Sequence, residues 1–147
     1  MKPLEGVFVL DFSTLLPGPM ATLMLAEAGA EVVKVEAPPK GEGMRSYVPQ
    51  WGPYSINFAL LNRGKKSLSV DLKDKAQLDK LMTLVTRADV IVEQFRPGVM
   101  ARLGLGFEAV SKINPKIIYC SITGYGQDGP MRDVAAHDLN YTAHAGL

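Results

Sequence analysis

The stretch VFVLDFSTLLPGPMATLMLAEAGAEVVKVE, residues 7–36, decides the fold. Val7 to Phe12 is an apolar run interrupted by Asp11 and closed by Ser13 and Thr14, the length and character of a strand buried on both faces. Pro17-Gly18-Pro19 turns the chain, and Pro19 suits the first position of a helix because its missing N–H has no partner there in any case. Met20 to Ala28 is apolar on most sides, which predicts a buried helix, and Gly29 supplies a terminator. Glu31 to Glu36, with Val32, Val33 and Val35, is β-branched and predicts a second strand ended by Pro38-Pro39. The thirty residues therefore form one βαβ unit.

The same alternation continues outward. Residues 37–54 hold four prolines with glycines and no sustained period, and read as a long lid or binding loop. A short helical piece near Ser55 to Leu61 precedes Ser67 to Leu72, whose polar/apolar alternation predicts a strand with Leu68, Val70 and Leu72 pointing inward. Asp74 offers an N-cap with Gln77 three residues on, and Leu78, Leu81, Met82 and Val85 share one helical face. Val90 to Val92 predicts a short buried strand followed by a loop at Glu93 to Gly98. Short helices follow near Val99 to Leu103 and Phe107 to Ile113, and then a β-rich run from Lys116 to Ile122. The expected class is α/β, with an open, mostly parallel, Rossmann-like sheet flanked by helices and ligands outside the carboxyl ends of its strands.

Composition narrows the function classes. Sixteen Lys+Arg against fifteen Asp+Glu leave a formal charge of +1, so nothing electrostatic argues for nucleic acid or an anionic membrane. Cys120 is the only cysteine, which leaves no disulfide framework and no cysteine metal site, and fits a reduced, cytoplasmic setting. No run reaches the ~18 apolar residues of a membrane span, and Met1 to Glu5 does not open a signal peptide. One domain is the expectation for 147 residues.

Two phosphate motifs fail on context. Gly124-Tyr125-Gly126-Gln127-Asp128-Gly129 spells G-x-G-x-x-G, but Pro130-Met131-Arg132-Asp133 opens no helix behind it. Gly64-Lys65-Lys66-Ser67 precedes a strand where a P-loop would follow one. Arg63, Lys65, Lys66 and Lys73 nevertheless bracket one strand, and read either as a phosphate-binding edge or as a solvated basic one. Near the chain's end, His137-Asp138 stands at a predicted helix start. An imidazole there can move a proton beside a carbonyl, with helix N–H groups to steady the enolate; otherwise His137 packs or meets water while Asp138 caps or orients. His144, two helical turns on, lacks a third ligand for a metal and reads as structural.

Taken together, the blocks in order are distinctive. They run from Leu4-Glu5-Gly6 to Asp11-Phe12 with Pro17-Gly18-Pro19, then Leu25 to Glu36, then Asn62-Arg63-Gly64-Lys65-Lys66-Ser67-Leu68 to Lys73. Phe95-Arg96-Pro97-Gly98, Arg102-Leu103-Gly104, Asn114-Pro115, Gly124 to Pro130 and His137-Asp138-Leu139-Asn140-Tyr141 complete them. The chain resembles the N-terminal part of the family III CoA-transferase (CaiB/BaiF-type) group, which includes the α-methylacyl-CoA racemases.

The resemblance implies an acyl-CoA thioester as substrate, with no covalently bound cofactor and no metal. It implies that Val70, Leu72 and Lys73 meet the adenine side, that Arg102 reaches the CoA phosphates, and that Gln94, Phe95 and Ala136 complete the binding loops. Within the group, His137-Asp138-Leu139-Asn140-Tyr141 is similar to the racemase branch, where the residue matching His137 is one of two acid/base groups at the α-carbon, with Asp138 beside it. The transferase branch instead forms acyl-enzyme intermediates on an aspartate, and commonly has a glutamine near Leu16. In both branches that aspartate would fall after Leu147. The resemblance further implies that residues 1–147 are the first part of a CoA-binding large domain, with the small domain and remainder absent from this chain. It implies an interlocked homodimer for the longer family chains, with a non-catalytic CoA-binding fragment as the remaining reading of this one.

Overall fold

A computed structural model describes residues 1–147. Five parallel strands form one sheet: β1 (Phe8–Asp11), β2 (Glu31–Glu36), β5 (Lys66–Ser69), β6 (Val90–Glu93) and β7 (Ile118–Ser121), in the order β5-β2-β1-β6-β7. The helices are α1 (Pro17–Glu27), α2 (Ile56–Asn62), α3 (Lys75–Val85), α4 (Val99–Arg102), α5 (Phe107–Ile113) and α6 (Asp138–Ala145). The expected α/β fold with an open parallel sheet is therefore the observed one. Inside the proline-rich loop lie two features not expected from its composition, a 3-10 turn at Gly43–Ser46 and a small hairpin, β3 (Gln50–Trp51) with β4 (Tyr54–Ser55).

Register explains why the strands look uniformly apolar. Leu10 lies opposite Val33 and Ile91, and all three enter the larger core with Leu81, Val85, Leu105 and Val110. One residue along, Val9 lies opposite Val32 and Val90; Val9 and Val32 join Ala30 and Val92 in a smaller core on the other face. Successive side chains alternate faces, so a strand covered on both sides needs apolar groups at every position. Val70 is buried and Leu68 and Leu72 pack against the larger core, as their spacing predicts, although β5 ends at Ser69.

Two local expectations shift. Pro17, not Pro19, takes the first position of α1, and the helix is only half covered: Thr22 and Leu23 are buried while Met20 and Met24 face out. Its apolar composition therefore exceeds what one sheet face can cover. Asp74 does cap α3, accepting from the N–H groups of Ala76 at 2.9 Å and Gln77 at 3.2 Å. Gln77 does not close the reciprocal box; its Oε1 instead accepts the N–H of Asp71 at 2.9 Å.

Strand order sets the site. The chain winds outward from β1 to β2 and β5, then returns to place β6 and β7 on the other side of β1. The winding reverses between β1 and β6, and the carboxyl ends of strands at such a switch point are where open α/β sheets bind ligands. Asn114 secures the return: its buried Nδ2 donates to the carbonyls of Val85 at 2.9 Å and Ala88 at 2.7 Å, tying the end of α5 to the turn before β6. Asn114→Ala removes both bonds, leaving the Val85 carbonyl only the Ala88 N–H at 3.3 Å, and a loss of about 1–3 kcal/mol is expected. Urea unfolding should show a lower midpoint with an unchanged slope.

Candidate functional site

The carboxyl end of β1 rests on a buried charged network. Asp11, the last residue of β1, is fully buried; its Oδ1 accepts from the N–H and hydroxyl of Ser13, and its Oδ2 accepts from Thr22 Oγ1 at 2.6 Å. Lys65 Nζ reaches the same Oδ2 at 3.1 Å, Thr22 Oγ1 at 2.7 Å, the Pro19 carbonyl at 2.9 Å and Asn62 Oδ1 at 3.0 Å. Burial draws Lys65 below the ordinary lysine range, and the Asp11 charge opposes that fall. Next to this group, Lys34 Nζ donates to the Ser13 carbonyl at 2.7 Å and lies 2.5 Å from Glu42 Oε2, while Glu42 Oε1 is buried without a hydrogen-bond partner.

Both ends of the β1–α1 loop are thereby pinned. Gln94 adds a third tether from β6, its Oε1 accepting the Gly18 N–H at 3.1 Å. Between the tethers Leu15 takes a φ of +62°, a left-handed conformation that costs a leucine roughly 1–3 kcal/mol. Gly18 has to be glycine, since a Cβ there would fall 2.1 Å from Ser13 Cβ.

A second ionic group closes the ends of β2 and β5. Glu36 accepts from Arg45 Nε at 2.7 Å and Nη2 at 2.6 Å, from Ser67 Oγ at 2.7 Å and from the Glu42 N–H at 3.0 Å. Burial alone would raise the Glu36 carboxyl, but these donors outweigh it and hold it at about 2. A polar hollow of about 210 Å³ adjoins the pair, lined by Glu36, Lys40, Arg45, Ser67 and Ser69 among others.

The basic edge expected around β5 is mostly consumed internally. Arg63 pairs with Glu27, Lys66 with Glu31 at 2.6 Å, and Lys65 with Asp11, which leaves only Lys73 exposed without an ion pair. Carboxylates already on the neighbouring strand and helix claim these cations. The G-x-G-x-x-G segment is likewise not a phosphate cradle. No helix follows it directly, and Gly124 is small because the Tyr141 ring occupies the space a Cβ would need, with Tyr125 edge-on to Tyr141 and His144.

Each candidate residue has a definite place. Val70 is buried, so only its backbone is available; Leu72 is half-buried, and Lys73 is exposed just beyond β5. Phe95 packs against the larger core, its N–H given to Glu93 Oε2 at 2.8 Å. Arg102 ends α4 in an exposed position. Ala136 is half-buried, its carbonyl accepting from the Tyr141 hydroxyl at 3.1 Å. His137 is the exposed N-cap of α6, with its N–H held by Asn140 Oδ1 at 2.9 Å; Asp138 follows as the first helical residue and is not the cap. The loops after β5 and β6 thus share one end of the sheet, separated by β2 and β1, or ~14 Å of strand spacings. No group of three or more His, Cys, Asp or Glu is arranged to hold a metal ion, and no helix is long and apolar enough to cross a membrane.

This architecture has named relatives. The family model for CoA-transferase family III matches residues 4–147. The chain belongs to CoA-transferase family III. It is 47% identical over 152 residues to succinyl-CoA:glutarate CoA-transferase of Mus musculus, covering 100% of this chain and 34% of that protein. It is also 42% identical over 144 residues to the α-methylacyl-CoA racemase of Mus musculus, covering 98% of this chain and 34% of that protein. A solved CaiB/BaiF family protein from Brucella suis superposes with a TM-score of 0.93 at 35% identity, over 99% of this chain and 39% of that one. The chain spans about a third of the length of the curated relatives it matches.

In this family III chain the Asp11, Lys34, Lys65 and Glu42 network is the part that reading the residues missed. Its one sequence signal is Lys34, a charge set between Val33 and Val35 in a strand buried on both faces. Lys65→Met strands the Asp11 carboxylate in the interior and should destabilise the protein by about 3–5 kcal/mol. Adding Asp11→Asn should recover part of that loss in the same denaturation measurement. The Glu36 group makes a separate pH prediction. Its folded value is depressed, so its stabilisation is present above the ordinary 4.5 and disappears as pH falls toward about 2. The stability gap between wild type and Glu36→Gln should close over that window in acid titrations followed by circular dichroism.

Proposed function

We propose that the protein acts on an acyl-CoA thioester laid across the carboxyl ends of its sheet, and that His137 moves a proton at the α-carbon, the chemistry of a racemase. Family membership supports the CoA thioester. The observation that carries the proton-transfer reading is the placement of His137, an exposed imidazole fixed at the N-cap of α6 beyond the strand ends. An imidazole titrates near neutral pH and can act as base or acid there.

The chemistry follows from the thioester. Its carbonyl acidifies the α-hydrogen, so a neutral imidazole on one face can take that proton and leave an enolate. An acid on the opposite face returns a proton to the same carbon and inverts it; with the roles reversed, the reaction runs backwards. In this reading that second acid is an aspartate from outside these 147 residues, and residues 1–147 are the first part of a CoA-binding domain. Asp138 stands beside the base as the first residue of α6, and Gln94, Phe95, Lys73 and Arg102 belong to the CoA-binding side.

A second reading is CoA transfer between carboxylic acids through an aspartyl intermediate, and the likeness to a succinyl-CoA:glutarate CoA-transferase favours it. Heavy water separates the two. With a 2-methylacyl-CoA, the racemase reading expects deuterium at the α-carbon by mass spectrometry, and His137→Ala should lower that exchange at least a hundredfold. Undiminished exchange in His137→Ala overturns the assignment of the base. CoA exchange between acids without α-deuteration establishes the transferase instead, and CoA binding with neither leaves a non-catalytic module.

A further inference from the structure

Three of the four cations expected to meet a phosphate are paired with carboxylates of the chain itself, which raises the question of what neutralises an anionic ligand at this sheet end. The structure supplies a different pair. Gly98, in the loop after β6, has a φ of +81°, and a Cβ built on it would lie 3.4 Å from Arg102 Nη1 and 3.5 Å from Arg132 Nη2. The two nitrogens are therefore within about 7 Å of each other, the sum of those distances. Arg102 arrives from α4, one helical turn past Gly98, and Arg132 arrives from the segment after β7.

Two guanidinium groups repel at that range unless an anion lies between them. Arg102 has no carboxylate within ion-pair distance, and Arg132 has only its neighbour Asp133, at 4.0 Å and largely exposed. A phosphate flanked by two guanidinium nitrogens at ~2.8 Å each can span a separation of up to roughly 8 Å, and the upper limit of about 7 Å on this pair lies within that reach. Glycine at position 98 leaves the space between them open.

We propose that Arg132 joins Arg102 across Gly98 as a two-arginine clamp for the pyrophosphate of the CoA handle. The inference rests on the acyl-CoA reading above and adds Arg132, a residue that none of the sequence motifs includes. Position selects the pyrophosphate over the 3′-phosphate. The 3′-phosphate sits on the ribose beside the adenine, which that reading places past β5 near Lys73. The arginines lie after β6 and β7, beyond the switch point and some three strand spacings, or ~14 Å, away.

Isothermal titration of the chain with CoA and with 3′-dephospho-CoA tests this. Arg132→Gln should weaken both ligands about tenfold, the order expected for one charge-assisted contact. Arg132→Lys, which keeps the charge but not the fork, should recover part of the loss. Arg132 is on the surface, its side chain 43% exposed, so an unchanged melting temperature will show that Arg132→Gln still folds. Wild-type affinity for CoA in Arg132→Gln overturns the clamp while leaving the acyl-CoA reading intact. Loss of CoA affinity with 3′-dephospho-CoA unaffected overturns the pyrophosphate assignment. Failure of the wild-type chain to bind either ligand overturns the acyl-CoA reading itself, and the clamp with it.

Discussion

The site depends on one buried ion pair, Asp11 with Lys65. Asp11 closes β1 at the point where the winding of the sheet reverses, and a bare carboxylate there, fully shielded from water, would be prohibitive. Lys65 makes it tolerable by crossing from the loop before β5, and Ser13 and Thr22 satisfy the remaining lone pairs. Apolar replacements of buried ion pairs are often no less stable, so the charges contribute chiefly through geometry. They tie the first strand, the first helix and the third segment of the parallel sheet to one point, and fix the loop between Ser13 and Pro19 where a ligand would lie.

That use of charge limits what remains for binding. Lys34, Arg45, Arg63, Lys65 and Lys66 are all held by carboxylates, so this end of the sheet is far less basic toward a ligand than its composition implies. In the proposed acyl-CoA reading, phosphate recognition falls to cations without such partners, Lys73 after β5 and the Arg102 and Arg132 pair after β6 and β7. A short exposed lysine can supply a point charge, whereas two convergent arginines supply directed donors, a distinction that matters for a group with several equivalent oxygens.

Much of this could be read in the chain. The unit from Val7 to Glu36, the Asp74 cap and the apolar face of α3 follow from local spacing, because period and capping are properties of a few neighbouring residues. The local pattern placed Lys73 beside the strand at 67–72, Arg102 in a short helix and His137 at a helix start, and each stands there. Less legible was the loop from 37 to 54, whose 3-10 turn is held where Glu36 accepts from Arg45 and from the Glu42 N–H at the strand end, and which also folds a small hairpin. The apolar run of α1 also overstated its burial, since composition reports hydrophobicity but not how many faces a neighbour covers.

By itself the sequence determined the succession of strands and helices, the parallel sheet they form and the family to which the motifs belong. These rest on interactions within a few residues or on order along the chain. Only the tertiary structure decided which charges face one another. Lys65 and Asp11 are fifty-four positions apart, and Arg102 and Arg132 belong to loops after different strands. Coulombic interactions and hydrogen bonds act over a few ångströms in space whatever the separation along the chain, so the partner of each charge exists only once the sheet has brought its strand ends together.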